Sequence, residues 1–197
     1  FTGSMIIGHQ TTGTLDAANY NTAVGLTALD AITTGDENTA MGYNALSALS
    51  SGLANTAIGK EALSLNNGSR NTAVGSLAMR GASNDNSNNS TALGYKAGYV
   101  INDGDNNVFI GYQAGDAVTS GDNNIIIGAD AAASAVTADN QIVIGQGATG
   151  TTDNTVLLGN GSITNWLPTD TNEVDLGSST KEMKDIYVDG VAYTDAI

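Results

Sequence analysis

The side chains able to do chemistry in this sequence are few in kind and uneven in place. His9 is the only histidine and cysteine is absent, so a Ser-His-Asp triad or a multi-histidine metal centre would have to be built around one residue, and thiolate chemistry is unavailable. Carboxylates are the abundant group, with twenty Asp and Glu against six Lys and Arg for a formal net charge of −14. That balance lacks the positive footprint that nucleic acids and anionic membrane surfaces require, and neither is expected as a partner. The acids fall in a pattern. Asp36, Asp105, Asp122, Asp139 and Asp153 each stand six residues before a recurring glycine, and no Lys or Arg occurs between residues 99 and 160. Carboxylates stacked at one turn repel, a cost that turn N–H groups, solvent screening or a hard cation offsets. Asp103, Asp105 and Asp122, with the carbonyls of Asn106 and Asn123, are the candidate ligands for Ca²⁺. The competing reading, which the spacing favours, is that Asp serves here as a turn former. With its acids on regular turns rather than in a cleft, the chain is not expected to be an enzyme, and no cofactor beyond that possible cation is called for.

The elements that must carry these residues are repeats. Gly8, Gly25, Gly42, Gly59, Gly75, Gly94, Gly111, Gly128, Gly145 and Gly159 return at spacings of 17, 17, 17, 16, 19, 17, 17, 17 and 14 residues. The plainest unit reads Asn-Thr-Ala-Val-Gly-x-x-Ala-Leu, from Asn21 to Leu29. Such a period means that each unit buries its apolar side against copies of itself. The longest apolar runs, such as Ile125 to Ile127, are far shorter than the roughly 20 residues of a membrane-spanning helix, so membrane insertion is not expected. Starting at Phe1 without a methionine, the sequence reads as a piece of a longer or processed polypeptide.

Before each glycine stands a large aliphatic residue, as in Val24, Met41, Ile58, Ile110, Ile127 and Ile144, and two positions earlier a β-branched one, as in Thr22, Thr39, Thr56, Val108 and Ile125. The aliphatic column is expected to form the core, with the Thr column buried beside it. The residue between points the opposite way and is also apolar, being Ala23, Ala40 and Ala57, then Phe109, Ile126 and Val143. A strand apolar on both faces is the mark of a parallel strand covered on both sides. One coil covers one face, and other copies of the chain packed about a symmetry axis are expected to cover the second. The chain is therefore expected to be an obligate homo-oligomer, a trimer.

Gly25, Gly42, Gly59, Gly111, Gly128 and Gly145 are expected where a positive φ or a close backbone approach excludes a Cβ. Asn21, Asn38, Asn55, Asn107 and Asn124 open the strands, where their amides can bond one above another along the stack or cap a turn. A second apolar element, Leu29, Leu46, Leu63 and Met79, suggests a second short strand in each coil. The stretch 81–90 absorbs the 19-residue spacing and is expected to be a looser surface loop. Tyr20, Tyr43, Tyr95, Tyr99 and Tyr112 are weighed as a glycan-binding strip, against which their unequal repeat positions count.

The predicted fold is therefore all-β, a parallel β-roll or β-solenoid of about ten 17-residue coils over residues 1–162, assembled as an intertwined or side-by-side homotrimer. A short β segment follows over 163–197, with a hairpin turn at Asp189-Gly190 leading toward a tip or chaperone domain. The Asn-Thr-Ala-Val-Gly-x-x-Ala phrase with its Thr-Gly turns resembles the YadA-like heads of trimeric autotransporter adhesins, left-handed parallel β-rolls, and is common in phage tail fibres. The resemblance covers residues 4 to 162, with a 17-residue period longer than that of the adhesin heads. The segment from Leu176 to Lys181, followed by Lys184 to Val188, looks like one that follows such repeats in phage tail fibres. The resemblance implies a virion structural protein, the trimeric shaft of a tail fibre serving attachment to a host receptor or glycan through a tip beyond this chain. The alternative setting is extracellular or at the bacterial cell surface, as the head of a trimeric adhesin. Ice binding through the Thr array and a Ca²⁺-binding solenoid are the lesser readings.

Overall fold

A computed structural model describes residues 4–7, 17–82 and 85–163. The chain divides into two compact units, Phe1–Ser162 and Ile163–Ile197. His9 and the expected hairpin at Asp189-Gly190 lie outside the described residues. The first unit carries ten three-residue strands: β1 (Met5–Ile7), β2 (Thr22–Val24), β3 (Thr39–Met41), β4 (Thr56–Ile58), β5 (Thr72–Val74), β6 (Thr91–Leu93), β7 (Val108–Ile110), β8 (Ile125–Ile127), β9 (Ile142–Ile144) and β10 (Val156–Leu158). They form one parallel sheet in sequence order. The described residues contain no helix, and they fold as an all-β parallel β-solenoid.

The strands pair without offset. Thr22 lies beside Thr39, Ala23 beside Ala40 and Val24 beside Met41, and the same register runs to Leu158 beside Ile144. The stacking continues through the turns, where Leu29 N donates to Ala45 O at 3.1 Å and Leu46 N to Ala62 O at 3.0 Å. Each repeat position thus contacts its own copy in the next coil. This explains the glycine column. A Cβ built on Gly42, whose φ is +137°, would sit 2.5 Å from the carbonyl oxygen of Gly59. Both reasons for glycine, the left-handed backbone and the close approach, apply at that point.

Three expectations need correction. The large aliphatic column does not form the interior. Ala23, Ala40, Ala57, Ala73, Ala92, Phe109, Ile126 and Val143 are fully buried, whereas Met41 and Leu93, on the opposite face, are 49% and 48% exposed. The Thr column turns outward with it, partly exposed in β2, β3, β4 and β6 and exposed in β5. The physical reason is room. The inner face of the strand meets the buried Leu29, Leu46, Leu63 and Met79 of the turns, and a small coil filled by one large residue has space for only an alanine opposite it.

Nor do Leu29, Leu46 and Leu63 lie on a second strand. Their φ values are 53°, 50° and 50°, and Thr27, Asn44 and Glu61 two residues earlier are left-handed as well. Alternating left-handed residues wind the chain into a tight corner instead of extending it, and among the described residues each coil carries a single strand. The left-handed region costs a β-carbon-bearing residue roughly 1–2 kcal/mol, which burial of a leucine side chain offsets with about 1.5–3 kcal/mol.

The balance is struck differently further along. Gly98 and Gly115 replace the leucine at φ +60°, and a Cβ on them would approach the Phe109 ring to 2.5 Å and 2.3 Å. Phe109 thus stands where earlier coils have alanine and fills the volume that two missing side chains leave. Finally, the 81–90 stretch is not merely a surface loop. Gly81, Asp85, Ser87 and Ser90 are buried, and Asp85 forms a parallel bridge with Asn66.

Replacing Phe109 with alanine should cost about 3–5 kcal/mol, read as a lower urea midpoint. Gly115→Leu should destabilise the wild type by collision with the ring yet recover part of the loss in the Phe109→Ala background; equal damage in both backgrounds would refute the volume exchange.

Candidate functional surface

Two ladders fix the coil corners and thereby the face between them. At the entrance to β2, β3, β4, β5, β7 and β8 stands an Asn whose side chain is fully buried. Asn21 Oδ1 accepts from the Asn38 backbone N at 2.9 Å and from Asn38 Nδ2 at 3.1 Å, while Asn38 Nδ2 also donates to Gly52 O at 2.9 Å. Asn55 repeats the pattern on Asn38 at 2.9 and 3.0 Å, and Asn124 repeats it on Asn107 at 2.9 and 3.1 Å. An amide suits the position because one group both accepts from the next coil and donates across its own. At two coils the ladder changes hands: Ser90 Oγ accepts from Asn107 N at 3.0 Å, and Gln141 N donates to Asn124 Oδ1 at 3.0 Å.

The second ladder is acidic. Asp105 N donates to Asp122 Oδ1 at 2.7 Å, Asp122 N to Asp139 Oδ1 at 2.7 Å and Asp139 N to Asp153 Oδ1 at 2.9 Å. Asp36 accepts from Asn19 N at 2.7 Å in the same way. Each carboxylate thus spends one oxygen on a charge-assisted bond to the coil before it, which offsets part of the repulsion along the column. Where the column lacks an acid, Ser69 Oγ and Asn88 Oδ1 do the same work, accepting from Leu53 N at 3.1 Å and Ser69 N at 2.8 Å.

Of the candidate cation ligands, Asp105 and Asp122 stand one coil apart in this ladder. Asp103 is exposed and accepts from Asn102 Nδ2 at 2.9 Å. The described residues contain no group of three or more His, Cys, Asp or Glu side chains placed to hold a metal ion.

Between the corners lies the outward face of the sheet. Its glycine-adjacent column presents Ile7, Met41, Ile58, Leu93, Ile144 and Leu158, exposed by 37–54%. Two residues after each of Met41, Leu93 and Ile110 comes a tyrosine, and Tyr43, Tyr95 and Tyr112 share one repeat position. These three are 41–51% exposed, and the Tyr95 and Tyr112 rings stack at 5.5 Å with a 19° interplanar angle. Alignment on the glycines makes this column legible; Tyr20 and Tyr99 occupy other positions. Lys96 extends the aromatic cluster, its Nζ 5.6 Å from the Tyr95 ring centre and 4.9 Å from that of Tyr99.

The result is a long aliphatic and aromatic stripe on a regular parallel sheet.

Asn55→Ala should remove the acceptor for Asn71 N and the bridge to Gly68 O, at about 1–3 kcal/mol for the buried groups left unpaired; an unchanged denaturation midpoint would show that the ladder is not limiting. No family model matches the chain, and neither a curated protein nor a solved structure matches it.

Proposed function

We propose that this chain is a structural module, a stiff solenoid that assembles side by side as a homotrimer and serves as the shaft of an attachment fibre. The single observation that carries the reading is the outward aliphatic column, with Met41 at 49% and Leu93 at 48% exposure in one chain. Heterologous, ring-closing packing of three copies about a threefold axis would remove that surface from water. The repeat phrase resembles that of phage tail fibres, so a virion tail fibre is the preferred setting. The head of a bacterial surface adhesin is the second. In either, three identical chains would hold a receptor- or glycan-binding tip away from the particle, and weak contacts would add by avidity.

The outward Thr column favours one other reading, an ice-binding array. Against it, the adjoining column runs Val24, Met41, Ile58, Val74 and Leu93, and side chains of such different shape roughen the face, which suits interdigitation with another protein surface better than a flat lattice.

Sedimentation at micromolar concentration should give three times the chain mass. Met41→Asp with Leu93→Asp should yield folded monomers, because a carboxylate is solvated on the free face and desolvated between chains. A wild-type monomer would remove the proposal, and thermal hysteresis by that monomer would put the ice-binding array in its place.

A further inference from the structure

One buried acid belongs to neither ladder. In four coils an aliphatic residue caps the inner turn by donating its backbone N to the carbonyl three residues before it, as Ile32 does to Leu29, Leu49 to Leu46, Ile101 to Gly98 and Val118 to Gly115. These four side chains are buried in the core. Between Leu49 and Ile101 the same place is taken by Asn66, bonded to Leu63 O, and Asp85, bonded to Ala82 O. Both are fully buried. An aliphatic column is thus interrupted at one joint by two polar residues, and the interruption coincides with the 19-residue spacing.

The joint is only partly satisfied. Asn66 Nδ2 donates to Ser87 Oγ at 2.7 Å, and Ser87 donates both its N and its Oγ to Asp85 Oδ1 at 2.8 Å. Asp85 Oδ2 has no hydrogen-bond partner, and it lies where a Cβ on Gly81 would be, 2.3 Å away. The groups around the carboxyl are Gly81 and Ser87 of its own coil and Asn66 of the coil before. Among the described residues, the charged residue that acts on it is Asp103 of the coil after, of like sign. A buried carboxylate with one bare oxygen and an acidic neighbour is costly, whereas the neutral acid carries no charge to desolvate.

We propose that the joint between the coils of Asn66 and Asp85 is a proton-controlled weak point in the solenoid, closed while Asp85 is neutral and opening locally when it ionises. Burial, before any other cause, pushes the Asp85 carboxyl up from 3.8 to about 6; the Ser87 hydrogen bonds and the nearby Asn66 amide oppose the rise and Asp103 adds to it. An acid whose folded value is raised contributes stability that is whole below its unfolded value and is lost as pH rises past the folded one. Between pH 5 and pH 7.5 these two values make local opening about tenfold more favourable. The inference does not depend on the oligomeric state.

Amide hydrogen exchange on the whole chain at pH 5 and pH 7.5, corrected for intrinsic rates, tests it. The Asn67 and Thr72 amides, which bond to Asp85 O and Ser90 O, should lose about tenfold in protection at the higher pH. Those of Thr39 and Ile125, which bond to Asn55 O and Gln141 O, should not. Asp85→Asn should abolish the difference, and Asp85→Leu, which restores the aliphatic column, provides a second non-ionising variant should the amide fail to fold. Loss spread evenly over all coils, no loss at all, or a local loss that persists in a folded non-ionising variant would overturn the proposal.

Discussion

Stacking in register against an identical position is the constraint on which everything else in this solenoid depends. Because Thr22 meets Thr39 and Ala23 meets Ala40 without offset, a side chain is acceptable only if it tolerates its own copy one coil away, about 4.8 Å along the stack. Alanine and leucine pass by dispersion contact. Asparagine passes because an amide is donor and acceptor at once. Aspartate repels its own copy, and the acidic column stands because the coil before each carboxylate offers it a backbone N–H, as Asp122 does to Asp139. Glycine persists where the copy presents its own carbonyl, as Gly59 does to Gly42.

The same constraint sets the interior. Beside the capping Ile32, Leu49, Ile101 or Val118, a coil this small has room for one more large side chain between strand and turn, and the sequence supplies it from either of two places. Early coils put a leucine in the left-handed turn opposite a strand alanine and accept the backbone strain. Around Phe109 the strand supplies the bulk and the turn positions fall to Gly98 and Gly115. Strain is lower there, because glycine populates the left-handed region without steric cost. The left-handed position before each strand shifts likewise, from Tyr20, Glu37, Ala54 and Arg70 to asparagine at 89, 106, 123, 140 and 154, a residue that accepts this conformation readily. The C-terminal coils thus place less strained residues at the same corners.

Much of the fold was legible, and the misreadings share one cause. Strand positions, parallel order and the glycine column follow from the period. The face assignment of Val24 and Met41 was inverted because a continuous apolar strand says that both sides are apolar without saying which side is narrow. The leucines of the turns were taken for a strand because their spacing reveals apolarity and nothing of φ. Asp85 escaped notice because an insertion broke the alignment that would have placed it in line with Leu49 and Ile101. The exposed stripe was half legible: both faces of the strand read as apolar, but not that the turn residues fill the alanine face.

By itself the sequence determined the coil, the parallel stacking and the positions where only glycine or a ladder-forming polar group can stand, because a fixed period brings each residue against its own copy whatever the detailed path. Tertiary structure alone decided which face is interior, that the second apolar run is a left-handed corner, and that an acid lies buried at the irregular joint. Those outcomes depend on the space left after every other side chain of the coil is placed, and no single repeat position carries that information.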